Sequence, residues 1–181
     1  FKPSLRSGSI AAAILYTGGP YPFGYYGWGE LFAFLFFGPV AVAGTYFVQA
    51  QQITQLVWMA SIPTGLMAAA VLVVNNLRDI ETDRAAGKRT MAVRIGPRGS
   101  IVEYALLWIG AAAVPVIIAV SGITSTGVLA ATAVCLASIT LIGDLHRARD
   151  GPAFNRLLAQ TARLELLYAL TFAVGLNLWP C

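Results

Sequence analysis

Gln55–Asp83, QLVWMASIPTGLMAAAVLVVNNLRDIETD, decides the fold. From Gln55 to Leu77 it carries no ionisable side chain. As a helix rising about 1.5 Å per residue, that length crosses the ~30 Å hydrocarbon layer of a bilayer. The apolar run then stops abruptly at Asn75-Asn76-Leu77-Arg78-Asp79. A membrane-spanning helix that ends in a cluster of amides and carboxylates is the simplest reading.

The rest of the chain repeats the pattern. Of 181 residues, 57% are hydrophobic and 11% charged, and the mean hydropathy is +0.71. A soluble domain carries about 25% charged residues, and a globule of this size has far more surface than these few polar groups can cover. Lipid as solvent explains the excess of apolar residues. The expected fold is therefore all-α, a polytopic transmembrane helical bundle with about six spans. These are Pro3–Thr17, which is short, then Leu31–Gln49, Gln55–Leu77, Ser100–Val120, Ser125–Gly143 and Leu158–Trp179. Pro39, Pro63 and Pro115 fall inside spans and predict kinks, which packed membrane helices tolerate.

Most charges fall in two stretches, Arg78–Arg98 and Asp144–Arg163. Alternating the spans puts both on one side with Gly18–Gly29, leaving the short uncharged links near Gln51 and Gly122, plus Lys2 and Arg6, on the other. Positive charge beside spans marks the cytoplasmic face. The net charge of +4 and the pI near 9.3 are accordingly read as loop charge, with no nucleic-acid partner. Cys135 and Cys181 give neither a disulfide framework nor metal spacing, and the lone His146 reads as a loop residue. The chain opens at Phe1, and Phe1–Ser7 reads as a loop entering a span, so a piece of a longer protein is expected.

Asn75, Asp79 and Asp83 are spaced by four, so on a continuing helix they stack along one face. Glu81 points roughly away. Such hard oxygen donors suit Mg²⁺, which commonly bridges one or two carboxylates to phosphate. Gly87, Lys88 and Arg89 follow as a flexible turn carrying two cations, so metal and cations together suit a diphosphate. The competing explanation is a plain helix end, with solvated charges and Asp–Arg pairs on its surface. Two asparagines at membrane depth weigh against it, because polar groups in a span are costly.

Asn75–Gly96, NNLRDIETDRAAGKRTMAVRIG, resembles the second aspartate-rich motif and following loop of the UbiA superfamily of intramembrane prenyltransferases. A second block agrees, running from Tyr16-Thr17-Gly18-Gly19-Pro20 through Gly29-Glu30-Leu31 to Gly44-Thr45-Tyr46-Phe47-Val48-Gln49. Together they are most similar to the 1,4-dihydroxy-2-naphthoate polyprenyltransferase branch of menaquinone biosynthesis. The resemblance implies nine helices around a central cavity, with two aspartate-rich motifs facing each other on the cytoplasmic side of the cell membrane. This sequence, 1–181, aligns as a single domain with the last six helices. No aspartate precedes Asp79, so the first motif and the N-terminal helices are not in it.

The implied reaction joins a polyprenyl diphosphate to 1,4-dihydroxy-2-naphthoate, with loss of CO2 and diphosphate, in the lipid bilayer. The resemblance assigns Asp79 and Asp83 to catalysis through Mg²⁺, with Asn75 as a further ligand. Lys88 and Arg89 would grip the diphosphate, with Arg78 and Arg84 as weaker candidates. Arg78 has the rival role of pairing with Asp79 or Asp83. Tyr16, Tyr25, Tyr46 and Gln49 would line the acceptor and prenyl pocket; the plainer role for each tyrosine is interfacial. Glu30 would orient a loop or act on the acceptor. Rival functions are another aromatic prenyltransferase of the superfamily, a cation-coupled transporter and a non-catalytic membrane chain. Prenyl chain length and oligomeric state are open.

Overall fold

The computed structural model describes residues 26–178. Among these residues there is no strand, and five helices are long and apolar enough to cross a membrane. We number them with one short helix between two spans: α1 (Gly29–Ala50), α2 (Gln55–Arg78), α3 (Ile80–Ala85), α4 (Met91–Val120), α5 (Thr126–Arg147) and α6 (Gly151–Leu178). The polytopic helical bundle read from hydropathy is the observed architecture. Five of the six expected spans fall in this part; Pro3–Thr17 lies outside the described residues.

Helix α2 is the hub, packing against α1, α4 and α6. Its start is set by Thr54, whose side chain accepts from the Val57 N–H at 3.3 Å and so satisfies a donor the helix cannot. Its approach to α1 depends on two glycines. A Cβ on Gly38 would stand 2.9 Å from Gly65 Cα, and one on Gly65 would collide with the Phe34 carbonyl. Close backbone contact of this kind is how helices associate where lipid removes the usual hydrophobic drive. Pro39, which lacks an N–H, lies in a π-helical stretch of α1, Phe36–Ala43, where the hydrogen bonds run i→i+5 instead of the α-helical i→i+4 that a proline interrupts.

Tyr104 and Trp108 on α4 are almost wholly buried with Met67, Val73 and Val74 of α2. The Tyr104 hydroxyl lies 3.0 Å from Thr161 Oγ1 of α6, and Thr161 itself donates to the Leu157 carbonyl. The outward faces carry exposed Val102, Leu106, Ile109, Leu136, Ile139 and Leu166. Such a surface is stable where lipid or further protein covers it.

Two span boundaries move from their sequence-predicted places. Helix α6 begins at Gly151 rather than Leu158, because Asp150 Oδ1 accepts the Ala153 N–H at 2.8 Å and caps it there. Helix α4 includes Met91–Ile95, but Gly96 interrupts it at φ +73°. Pro97 then restarts the helix at a position where a missing N–H costs nothing. The membrane-crossing part therefore still begins close to the predicted Ser100.

Candidate active site

The acidic motif is built at a corner. Helix α2 ends at Arg78, Asp79 takes φ −97° and ψ 8°, and α3 starts at Ile80. The expected single continuing helix is thus corrected to two helices. The pitch survives the corner, however: Asp79 N–H donates to the Asn75 carbonyl at 3.1 Å, and Asp83 N–H to the Asp79 carbonyl at 2.8 Å. Helix α3 closes on Gly87 at φ +72°. There Lys88 N–H bonds the Asp83 carbonyl and Gly87 N–H that of Arg84, the paired ending for which glycine is suited. This turn brings Lys88 back over α3.

Each carboxylate is held by a different cation. Arg78 grips Asp79 with two parallel bonds, Nε to Oδ1 and Nη2 to Oδ2, both 2.8 Å. It also donates to Asn75 Oδ1 at 2.9 Å and to Asn155 Oδ1 of α6 at 2.8 Å. The Arg78 guanidinium holds the Asp79 carboxyl below the usual carboxylate range, and the nearby Lys88 charge adds to this. Lys88 Nζ lies 2.7 Å from Asp83 Oδ1. The Asp83 side chain is 9% exposed and that of Asp79 35%, so Asp79 is the more open to solution.

Of the other residues singled out, Arg84 pairs with Glu81 on the exposed flank of α3, away from the two carboxylates. Glu81 therefore points out, as its spacing predicts. Arg89 is exposed, and its carbonyl accepts from Arg94 Nε. Tyr46 and Gln49 are placed apart from the two carboxylates. They lie in the last turns of α1, whereas the first turn of α1 meets the end of α2 through Asn76 Nδ2 donating to Glu30 Oε1 at 2.7 Å. Sixteen residues separate Glu30 from Tyr46, about 24 Å along a helix, so both residues sit at the far end of the bundle from Asp79. Tyr16 and Tyr25 lie outside the described residues.

Two side chains and one pairing escaped the sequence reading. Asn155 reaches Arg78 across 77 positions, and nothing in a single sequence signals that pairing. The Glu30–Asn76 bond is buried, with Glu30 7% and Asn76 9% exposed; the glycine turn before Glu30 marked the residue but not its partner. Glu103 lies in an apolar run and lines an open groove of about 370 Å³ with Ile95, Val102 and Leu106. Among the described residues, Oε2 of Glu30 and of Glu103 is buried without a partner.

Asp79, Asp83 and Asn75 match Mg²⁺ in donor type and number, since that ion commonly takes one or two carboxylates and completes its shell with phosphate and water. No third acidic, histidine or cysteine side chain joins them among the described residues. In donor type these residues would supply part of a Mg²⁺ coordination shell.

The sequence profile of the UbiA prenyltransferase family matches residues 5–176. The chain belongs to the UbiA prenyltransferase family. It is 39% identical over 174 residues to the 1,4-dihydroxy-2-naphthoate octaprenyltransferase of Mycobacterium tuberculosis, covering 92% of this chain and 56% of that protein. The protein of the same name from Escherichia coli is 35% identical, over 94% of this chain and 55% of its own. A human relative, UbiA prenyltransferase domain-containing protein 1, is also 35% identical, over 96% and 49%. The chain thus spans about half the length of the curated relatives it matches. It is a multi-pass helical membrane chain of that family.

Proposed function

We propose that the protein transfers a polyprenyl group from polyprenyl diphosphate to 1,4-dihydroxy-2-naphthoate, releasing CO2 and diphosphate and yielding a demethylmenaquinol, the reduced form of the demethylmenaquinone. The observation that carries this reading is the corner at Asp79. Two carboxylates a turn apart, each backed by a cation, stand at the end of a span in a UbiA-family chain. Relatives at 35–39% identity bear the naphthoate octaprenyltransferase name.

The chemistry asks for charge control at one end of an insoluble substrate. Asp79 and Asp83 would hold Mg²⁺ with Asn75 nearby, and the bound ion would neutralise charge that develops on the departing diphosphate. Lys88 and Arg89 would contact the diphosphate oxygens; preorganised charge of this kind is usually the largest catalytic contribution. Lys88 would exchange its bond to Asp83 for one to phosphate as the metal takes over that carboxylate. Arg78, with its donors already committed to Asp79, Asn75 and Asn155, would orient Asp79 rather than grip the diphosphate. Arg84 is assigned to the exposed flank. The allylic carbon, freed of its diphosphate, is attacked by the electron-rich ring. Helices with lipid-facing apolar sides let the isoprenoid chain stay in the hydrocarbon while its head reaches the polar end.

Both charge-rich stretches meet at one end of the bundle, as the Arg78–Asn155 bond requires. Positive charge supports placing that end in the cytoplasm. A transporter reading is disfavoured, because transporter ion sites lie near the bilayer midplane and these carboxylates sit beyond a span's end.

The test is prenyl transfer by the purified full-length protein with Mg²⁺, offering dihydroxynaphthoate and 4-hydroxybenzoate side by side. Activity on the naphthoate alone, lost in Asp79→Ala and in EDTA, is the expected result. Preference for hydroxybenzoate overturns the acceptor, and activity that survives EDTA overturns the metal.

A further inference from the structure

Asn155 sits in the second turn of α6, whose N-terminus is already capped by Asp150. Its side chain is therefore not needed to satisfy its own helix. Its Oδ1 instead accepts from Arg78 Nη1 at 2.8 Å, and the amide orientation is fixed because a guanidinium offers only donors. Arg78 is then held on three sides: by Asp79 through Nε and Nη2, by Asn75 through Nη2, and by Asn155 through Nη1. Of these partners, Asn155 alone comes from outside the α2–α3 corner.

The geometry of the Arg78–Asp79 pair explains why that outside hold matters. A planar fork binding both oxygens of a carboxylate occupies one lone pair on each and leaves the others in the carboxylate plane. With Asp79 one-third exposed, those remaining lone pairs are the ones a metal–diphosphate complex can reach. Rotation of the guanidinium would turn them. Asn75 lies one turn from Arg78 on the same helix and moves with it; Asn155 fixes the plane against a different span.

We propose that Asn155 is a positioning residue of the diphosphate site, acting through the Arg78 guanidinium to set the direction in which Asp79 presents its carboxylate. The proposal rests on the metal–diphosphate reading of Asp79 and assigns the last span a part in a site otherwise made by α2, α3 and the loop after them. Mutating groups that orient a metal ligand without touching the metal typically costs 10- to 100-fold in affinity or activity.

The experiment uses the full-length protein in nanodiscs, with inorganic pyrophosphate as the probe and its binding measured by calorimetry over a range of Mg²⁺ concentrations. In Asn155→Ala the Mg²⁺ concentration for half-maximal pyrophosphate binding should rise about tenfold, with the thermal midpoint unchanged. Asn155→Asp, which offers Arg78 a rival carboxylate, should raise it further. In an Arg78→Gln background, Asn155→Ala should add nothing. During turnover the KM for prenyl diphosphate should rise while that for the aromatic acceptor stays put. A shift within twofold in Asn155→Ala overturns the proposal, as does an undiminished effect in the Arg78→Gln background. Wild-type protein that binds no pyrophosphate with Mg²⁺ overturns the metal–diphosphate reading itself. Wild-type binding without transfer to naphthoate overturns only the acceptor and leaves the role of Asn155 standing.

Discussion

The corner at Asp79 and the buried seam where the Tyr104 side chain of α4 reaches Thr161 of α6 are both held by hydrogen-bonding side chains, yet they are built on opposite terms. In the seam, Tyr104 and Thr161 each show essentially no exposure and satisfy one another, among apolar neighbours that leave no room for a ligand. At the corner, Arg78, Asp79 and Lys88 are each about 30% exposed along the side chain. There, opposite charges cancel one another, and of the four groups only Asp83 is closed off from solution. The seam spends its polar groups on fixing one arrangement of helices. The corner keeps them paired but exchangeable, which a site for a charged substrate needs.

If that contrast is right, substitutions in the two regions should separate activity from stability. The largest effect belongs to Asp79→Ala. Prenyl transfer should fall by on the order of 100- to 1,000-fold, as expected when preorganised charge is removed, while the detergent-solubilised protein melts within a few degrees of wild type. Comparable losses of activity and melting temperature would erase the distinction. Next comes Trp108→Ala in the seam, where a large buried ring is lost. Stability should drop by about 3 kcal/mol, read as a lowered melting temperature, with transfer per folded molecule unchanged. Thr161→Val sharpens the point. It leaves the buried Tyr104 hydroxyl without its partner and should cost about 1–2 kcal/mol, again without touching the Mg²⁺ dependence.

The smallest effect is electrostatic. Arg78 depresses the Asp79 pKa, so the pairing is complete above the ordinary carboxylate range and is lost only as the pH falls through the lowered value. An infrared carboxylate band assigned by difference from Asp79→Asn should therefore persist to a pH below that of free aspartate. A band lost at or above the ordinary value would mean that the fork does not hold the carboxylate.

Hydropathy was sufficient to find the spans because lipid imposes a length and a polarity on every one of them. The apolar run ending at Leu77 and the loop from Arg78 to Arg98 could be read without knowing any neighbour. Spacing also suggested that Arg78 is an aspartate's partner, since adjacent residues need no tertiary information. Contacts made by closure of the bundle were out of reach. Asn155 meets Arg78 only because α6 returns to the same end, and Glu30 meets Asn76 only because α1 and α2 run antiparallel. Tyr46 and Gln49 show the converse: their pattern resembled the family's, and the direction of α1 carries them to the opposite end. The break at Gly96 hid inside a charged loop, where hydropathy has no edge to mark it.

Gly38 and Gly65 let two backbones touch near the middle of α1 and α2, and that contact works as a fulcrum. A single methyl added on either side is a wedge at the pivot, prying apart two rods whose ends carry Glu30 and Asn76. Asn76 lies eleven positions along α2 from Gly65, about 16 Å of lever. A change smaller than one carbon–carbon bond deep in the membrane would thus be felt at the polar surface, where the distance between these rods is set by one hydrogen bond.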